Sequence, residues 1–212
     1  MRILVIGGTR GIGRATVNEA LDRGHGLRVL ARRQPRLPTR RSWRSAVDLQ
    51  LGDARDAATM ADAVADRDAV IVAVGTLPTL RTVTLFSSSI GNVIAAMRRA
   101  GVARLMYVTG VGAGDSRGHG GFWFDRIIQP LLLRRIYEDK DRSESMVRAS
   151  QLDWTIVRPA LLTNGPITTR YRIINAVHHI SATNIARGDV AHFMLDELER
   201  NEFVGRTPLL TY

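Results

Sequence analysis

Short apolar runs alternate along this chain with stretches in which apolar residues return every three or four positions. The runs at 3–6, 27–31, 47–51, 68–75, 104–110 and 153–159 read as strands. Between them, 12–21 and 56–65 carry helical spacing, with Asp56 placed to cap the second of these helices. A longer helix places Val83, Phe86, Ile90, Val93, Ile94 and Met97 on one face and stops at Gly101. The 68–75 run is apolar almost throughout, as in a parallel strand buried on both faces. This alternation predicts a single α/β domain with a doubly wound parallel sheet and right-handed crossovers. The 212 residues suit one such domain, and no repeat or linker divides them.

Two segments break the rhythm. Residues 111–121 are glycine-rich, and Phe122, Trp123 and Phe124 follow, leading into an apolar stretch up to Leu133. Residues 161–185 hold four threonines, Thr168 and Thr169 adjacent, and the adjacent His178 and His179. Both segments start at carboxyl ends of strands, where open α/β sheets bind ligands. Substrate loops are therefore expected at about 111–136 and 161–187, with Phe122, Trp123 and Leu162 as substrate contacts. The aromatic cluster could equally belong to the core. Asp189 reads as the N-cap of a last helix.

The first strand runs into Gly7-Gly8-Thr9-Arg10-Gly11-Ile12-Gly13 and then into a helix. Such a turn offers bare backbone N–H groups at a helix N-terminus to a diphosphate. Gly7 serves the tight turn, Gly11 the approach of the phosphates and Gly13 the packing of helix on strand. After the second strand comes Ala31-Arg32-Arg33-Gln34-Pro35-Arg36, without a carboxylate. An acid at this point holds the 2′-hydroxyl of NAD, whereas arginine suits the 2′-phosphate of NADP. Arg32 and Arg36, with Arg10 from the glycine loop, thus favour NADPH over NAD.

Composition narrows the partners. The formal net charge is +10, but apart from the arginines between 32 and 44 the positive residues are scattered. No nucleic-acid-binding motif accompanies them, so a small-molecule partner is expected and nucleic acid is not. Cysteine is absent, which excludes disulfides and thiolate chemistry, and His25, His119 and His192 are dispersed, so no metal is expected. No apolar run reaches membrane-spanning length, and the chain opens on a strand without a signal-peptide pattern; the cytoplasm is the default location. Lys140 is the only lysine in the chain.

The loop from Gly7 to Gly13 resembles the cofactor loop of the short-chain dehydrogenase/reductase superfamily. The segment from Lys140 through Glu144 to Arg158 and Pro159 is similar to atypical members of the NmrA-like and biliverdin-reductase-B/flavin-reductase kind, as are 189–195 and Arg32, Arg36, Leu37 and Pro38. The resemblance implies an NAD(P)-binding Rossmann-type fold, as a monomer or homodimer. It implies that Gly7, Thr9, Arg10, Gly11, Ile12 and Gly13 bind cofactor, with Asp53 at the adenine amino group and Val74, Gly75 and Thr76 beside the diphosphate and ribose. It also implies that Pro159, Ala160 and Leu161 lie along the nicotinamide.

Enzymes of the superfamily use a Ser/Thr that polarises a carbonyl, a Tyr that donates a proton and a Lys that holds the nicotinamide ribose. Thr109, Tyr137 and Lys140 fall in the corresponding regions, with Thr109 and Lys140 also near the cofactor. The usual Tyr-x-x-x-Lys spacing is Tyr-x-x-Lys here, and Ile136 stands at the tyrosine's place. One residue turns a helical side chain by about 100°. A displaced tyrosine fits hydride transfer to a planar conjugated acceptor such as a flavin or quinone. Two other readings stay open: a tailoring reductase, dehydratase or isomerase that uses Tyr137 and Lys140, and a non-catalytic NADP-sensing regulator.

Overall fold

The computed structural model describes residues 1–34, 46–79, 81–119, 124–175 and 182–212. Arg36, Phe122, Trp123, His178 and His179 lie outside them. The strands are β1 (Arg2–Ile6), β2 (Gly26–Ala31), β3 (Val47–Leu51), β4 (Ala69–Val72), β5 (Arg104–Val108), β6 (Asp153–Pro159), β7 (Leu161–Thr163), β8 (Arg172–Ile174), β9 (Asn184–Ala186) and β10 (Leu209–Thr211). The α-helices are α1 (Gly11–Asp22), α2 (Ala57–Val64), α3 (Leu85–Ala100), α4 (Arg134–Arg148) and α5 (Arg187–Arg200). The main sheet runs β3-β2-β1-β4-β5-β6-β10-β8, parallel except for the antiparallel β10–β8 pair, while β7 and β9 form a small parallel pair.

Strand periodicity divides the core in two. Ile3 and Val5 of β1 face the layer that holds Val17 of α1 and Met194 of α5. Leu4 and Ile6 face the opposite layer, with Met60 of α2, Val93 of α3 and Val147 of α4. The strand order reverses beside β1, because β2 leaves it on one side and β4 joins it on the other. That reversal opens a cleft at the carboxyl ends of β1 and β4.

The expected doubly wound sheet is present, with differences at its far edge. The four short strands β7 to β10 have three residues each, too few to carry a period. The region expected as a loop up to 136 instead contains a wide π-helical run, Phe124–Leu133, which continues into α4. Pro130 sits inside this run and has no N–H to donate, which suits the irregular winding. Asp189 is not the N-cap of α5. It lies within the first turn, behind Ala186, and its carboxylate accepts from the Thr168 and Thr169 N–H groups and from the Tyr212 hydroxyl. It therefore ties the 161–187 segment to the chain's last residue.

Buried Arg104, at the start of β5, donates to Glu197 at 2.7 Å. Glu197 also accepts from Thr155 Oγ1 and the Phe203 N–H, so it fastens α5 to the sheet at the end away from the cleft.

The turn after β1 is set by what glycine lacks. Gly7 has φ +87°, and a Cβ there would stand 2.6 Å from the Ala73 carbonyl oxygen. A Cβ on Gly13 would fall inside contact distance of the Gly7 carbonyl group, backbone against backbone. Neither clash can be relieved by a side-chain rotation. Gly13→Ala is predicted to destabilise the fold by about 1–3 kcal/mol, the cost of overpacking a tight contact. Urea unfolding measures this; an unchanged midpoint would show that α1 is free to lift away from β1.

Candidate active site

The cleft encloses about 850 Å³ and is built from the ends of four strands. Ile6, Gly7, Thr9 and Arg10 line it after β1, Ala73, Val74 and Gly75 after β4, and Gly52, Asp53 and Ala54 after β3. Leu30, Ala31, Arg32, Arg33 and Gln34 form the wall at the end of β2, and Leu85 closes the side toward α3. The N-terminus of α1 opens beside this cleft: Arg10 is its N-cap residue and makes no side-chain cap. Among the described residues, no side chain caps the first N–H groups of that helix, which suit an anion. Gly11 has open space where a side chain would stand, with Arg187 Nε the nearest atom at 3.9 Å. Ile12 is buried beneath the loop. Thr76 follows Gly75 and is exposed.

Arginine outweighs acid in the cleft. Its carboxylate, Asp53, is already clamped: Arg55 donates to it from Nη2 at 2.7 Å, from Nε and from its backbone N–H. These hydrogen bonds hold the Asp53 carboxyl down at about 2, so it is ionised and a pure acceptor. Among the described residues, Arg32 and Arg33 form no ion pair, though the Arg32 charge helps to hold the Asp53 carboxyl down. A diphosphate on the α1 terminus, an adenine between Leu30 and Ala54, and a phosphate beside Arg32 all match the chemistry of this lining. The donor set fits a dinucleotide.

At the ends of β5 and β6 a second group of residues gathers. Lys140 Nζ donates to the Thr109 carbonyl oxygen at 2.7 Å. It lies 4.9 Å from the centre of the Tyr137 ring and 5.5 Å from that of Phe86. Burial pushes the Lys140 ammonium down to about 8, against the pull of Glu144 and Asp141. The Tyr137 hydroxyl donates to the Val111 carbonyl oxygen at 2.9 Å. A Cβ on Gly110 would stand 3.5 Å from both Lys140 Nζ and Tyr137 Oη, so the two groups meet over this glycine. Ile136 packs into a small apolar cluster with Val83, Phe86 and Tyr137.

Thr109, which the resemblance implies polarises a carbonyl, is engaged by a neighbouring carboxylate. Its hydroxyl donates to buried Glu144 at 2.7 Å, so that proton is spent inside the protein. Pro159 receives the Val111 N–H and Ala160 donates to Leu210, which pins this stretch of backbone. Leu161 is exposed at the start of β7, and Leu162 is half-buried, with its carbonyl near Arg187.

Several site residues escaped the sequence. Arg158 is fully buried and donates to Glu144 through Nε and Nη2 and to Asp115 through Nη1. An arginine between Val157 and Pro159 in a strand covered on both faces demands a buried acid, and that demand was the available signal. Asp139 is buried as well, and its carboxylate accepts from the Phe86 N–H at 2.8 Å and from Ser87 Oγ. It caps α3 from α4, since Thr84 makes no side-chain cap. The 111–118 segment is held at several points: Asp141 accepts from the Gly114 N–H and Arg117, and Gln129 donates to the Gly112 carbonyl oxygen. A second cavity of about 500 Å³ lies beyond Tyr137, lined also by Arg117, Gln129, Pro130 and Arg134. Among the described residues, no cluster of three metal-ligating side chains occurs, and no helix is long and apolar enough to cross a membrane.

Comparison with known proteins agrees with this geometry. The UPF0659 protein YMR090W of Saccharomyces cerevisiae is 27% identical over 208 residues, spanning 93% of this chain and 87% of that protein. A short-chain dehydrogenase/reductase of Veillonella parvula, solved in complex with NADP, superposes with a TM-score of 0.84 at 18% identity, covering 100% of this chain and 94% of that one. ChuY, an anaerobillin reductase from Escherichia coli O157:H7, gives a TM-score of 0.79 at 22% identity over 100% of this chain and 97% of that one. At these identities the two structures establish the Rossmann-type fold. The family described as NAD(P)H-binding matches residues 7–201, and the chain belongs to it.

Proposed function

We propose that the protein is an NADPH-dependent oxidoreductase that passes hydride to a planar, conjugated acceptor of the flavin or quinone kind. The observation that carries this reading is the Tyr137 hydroxyl, which donates to the backbone at Val111. Burial raises its pKa well above the ordinary phenol range. A phenol held in this way is a poor acid. Reduction of an isolated ketone leaves an alkoxide that needs a positioned acid, whereas a flavin or quinone spreads the charge over its π-system and takes its proton from water.

Bound NADPH supplies the hydride. The chain's own part is to bind and orient. Arg32 receives the 2′-phosphate, with Arg10 and Arg33 adding positive charge. The α1 terminus takes the diphosphate, Asp53 the adenine amino group, and Lys140 the ribose hydroxyls at the nicotinamide end. Pro159, Ala160 and Leu161 bound the ring. The acceptor is assigned to the cavity beyond Tyr137, where Pro130 and the Tyr137 ring offer apolar contact and Arg117 and Arg134 are already paired with Asp141 and Glu138. The choice of NADPH draws support from the acid-free arginine wall and from the NADP complex of the Veillonella protein. The reductase assignment draws support from the likeness to ChuY. The reading places this work in the cytoplasm.

Arg32→Ala is predicted to weaken NADPH binding about tenfold or more, the value of a charge-assisted hydrogen bond, and to change NADH binding less than about threefold. Nicotinamide fluorescence titration reads both; equal losses for the two cofactors would remove Arg32 from the 2′-phosphate. Tyr137→Phe is predicted to keep turnover with a quinone or FMN within about threefold, followed as NADPH absorbance at 340 nm. A drop of about 10²–10⁴ would make Tyr137 a general acid and favour the metabolite-specific reading.

A further inference from the structure

The one lysine of the chain sits in a frame built by a buried carboxylate. Glu144 lies one turn beyond Lys140 on α4 and is 2% exposed. One of its oxygens accepts the Thr109 hydroxyl at 2.7 Å and Arg158 Nε at 3.2 Å, and the other accepts Arg158 Nη2. Thr109 is also held from its backbone, since its N–H donates to Val157 at 2.9 Å. The residue whose carbonyl oxygen receives Lys140 Nζ is therefore gripped by β6 on one side and by Glu144 on the other. Space around the pair is reserved: a Cβ on Gly114 would stand 2.5 Å from Arg158 Nη2 and 2.9 Å from Glu144 Oε2.

We infer that Glu144 is a positioning residue for Lys140: it fixes the carbonyl that receives the ammonium and supplies the counter-charge behind it. This rests on the proposed role of Lys140 at the cofactor. A carboxylate that served only to neutralise Arg158 would not need to hold Thr109. Asp115 already gives Arg158 a second carboxylate at the protein surface. Among the described residues, few groups surround Lys140. Glu144 and Asp141 act on it from its own helix, which also supplies the Tyr137 ring. α3 brings the Phe86 ring, β5 leads into the Thr109 carbonyl, and β6 brings Arg158, bound to Glu144. Without Glu144, a partly buried ammonium would keep Asp141 as its acidic neighbour and lose the clamp on its acceptor.

The single lysine makes the test direct, because lysine labelled with ¹³C at Cε gives one signal. Its pH titration in the cofactor-free protein reports Lys140 alone. The wild-type midpoint is expected near 8. Glu144→Gln keeps hydrogen-bond acceptance and removes charge, and should lower the midpoint by about one unit or more, the effect of losing an opposite charge at close range. Should that variant not fold, Glu144→Asp, with the charge withdrawn by one methylene, should give a smaller drop in the same direction. Asp115→Asn removes the exposed partner of Arg158 and should leave the midpoint within about 0.3 unit, since no direct contact links it to Lys140. A midpoint unmoved in the folded Glu144 variants, or moved equally by Asp115→Asn, would overturn the inference and leave Glu144 a structural ion-pair partner. NADPH affinity of the wild type, measured in parallel, separates the two readings. Absent binding would defeat the proposed function, while the titration would still decide the role of Glu144.

Discussion

Everything at the cleft depends on how closely α1 can approach β1 and β4. Gly13 rests on the Gly7 carbonyl, and Gly7 rests on Ala73, with no Cβ between these backbones. This contact brings the helix N-terminus to the point where the strand order reverses. It also leaves the first N–H groups of α1 beside the lining from Gly7 to Arg10. A dipole and a set of unpaired donors become useful only when a ligand can reach them. The glycines secure that access by removing atoms, and the arginines at the rim then add charge.

Two buried ion pairs stand at opposite ends of β5 and β6. At the amino end, Arg104 and Glu197 join α5 to the sheet, and Glu197 accepts the Phe203 N–H. At the carboxyl end, Arg158 and Glu144 join β6 to α4, next to Lys140 and Thr109. A buried pair contributes little net stability compared with apolar residues of the same volume, because both charges leave water. What it does supply is fixed geometry. At the amino end that geometry locks a terminal helix. At the carboxyl end it sets the position of the carbonyl oxygen that receives the lysine. Asp139 adds a third constraint by capping α3 from α4, which holds Phe86 against the same ammonium.

The sequence was most legible where one rule acted alone. Apolar runs mark β4 and β5 most clearly, because parallel strands buried on both faces carry little else, whereas β3 lies at the sheet edge with no buried residue. The Gly7 to Gly13 turn and the acid-free stretch after Ala31 contribute residues that line the cleft. Strands β7 to β10 were hidden by their length: β10 is recognised through its pairing with Arg158 and Pro159, a contact made across about fifty residues of chain. An acid near a helix start usually caps that helix, whereas the acceptors of Asp189 are spent on Thr168, Thr169 and Tyr212. Thr109 and Tyr137 come close to Lys140, and the partners that engage their hydroxyl protons, Glu144 and Val111, come from tertiary packing. Residues beside a site are readable from motifs; the direction in which a hydroxyl points is not.

The central claim is that this cleft selects a 2′-phosphorylated dinucleotide through arginine at the end of β2. Calorimetric titration of the unmodified protein with NADPH and with NADH, at the same salt concentration, tests it most directly. The account predicts NADPH binding at least about tenfold tighter than NADH, as expected when a charge-assisted contact is made by one cofactor and not the other. Equal affinities, a preference for NADH, or no binding of either would contradict it.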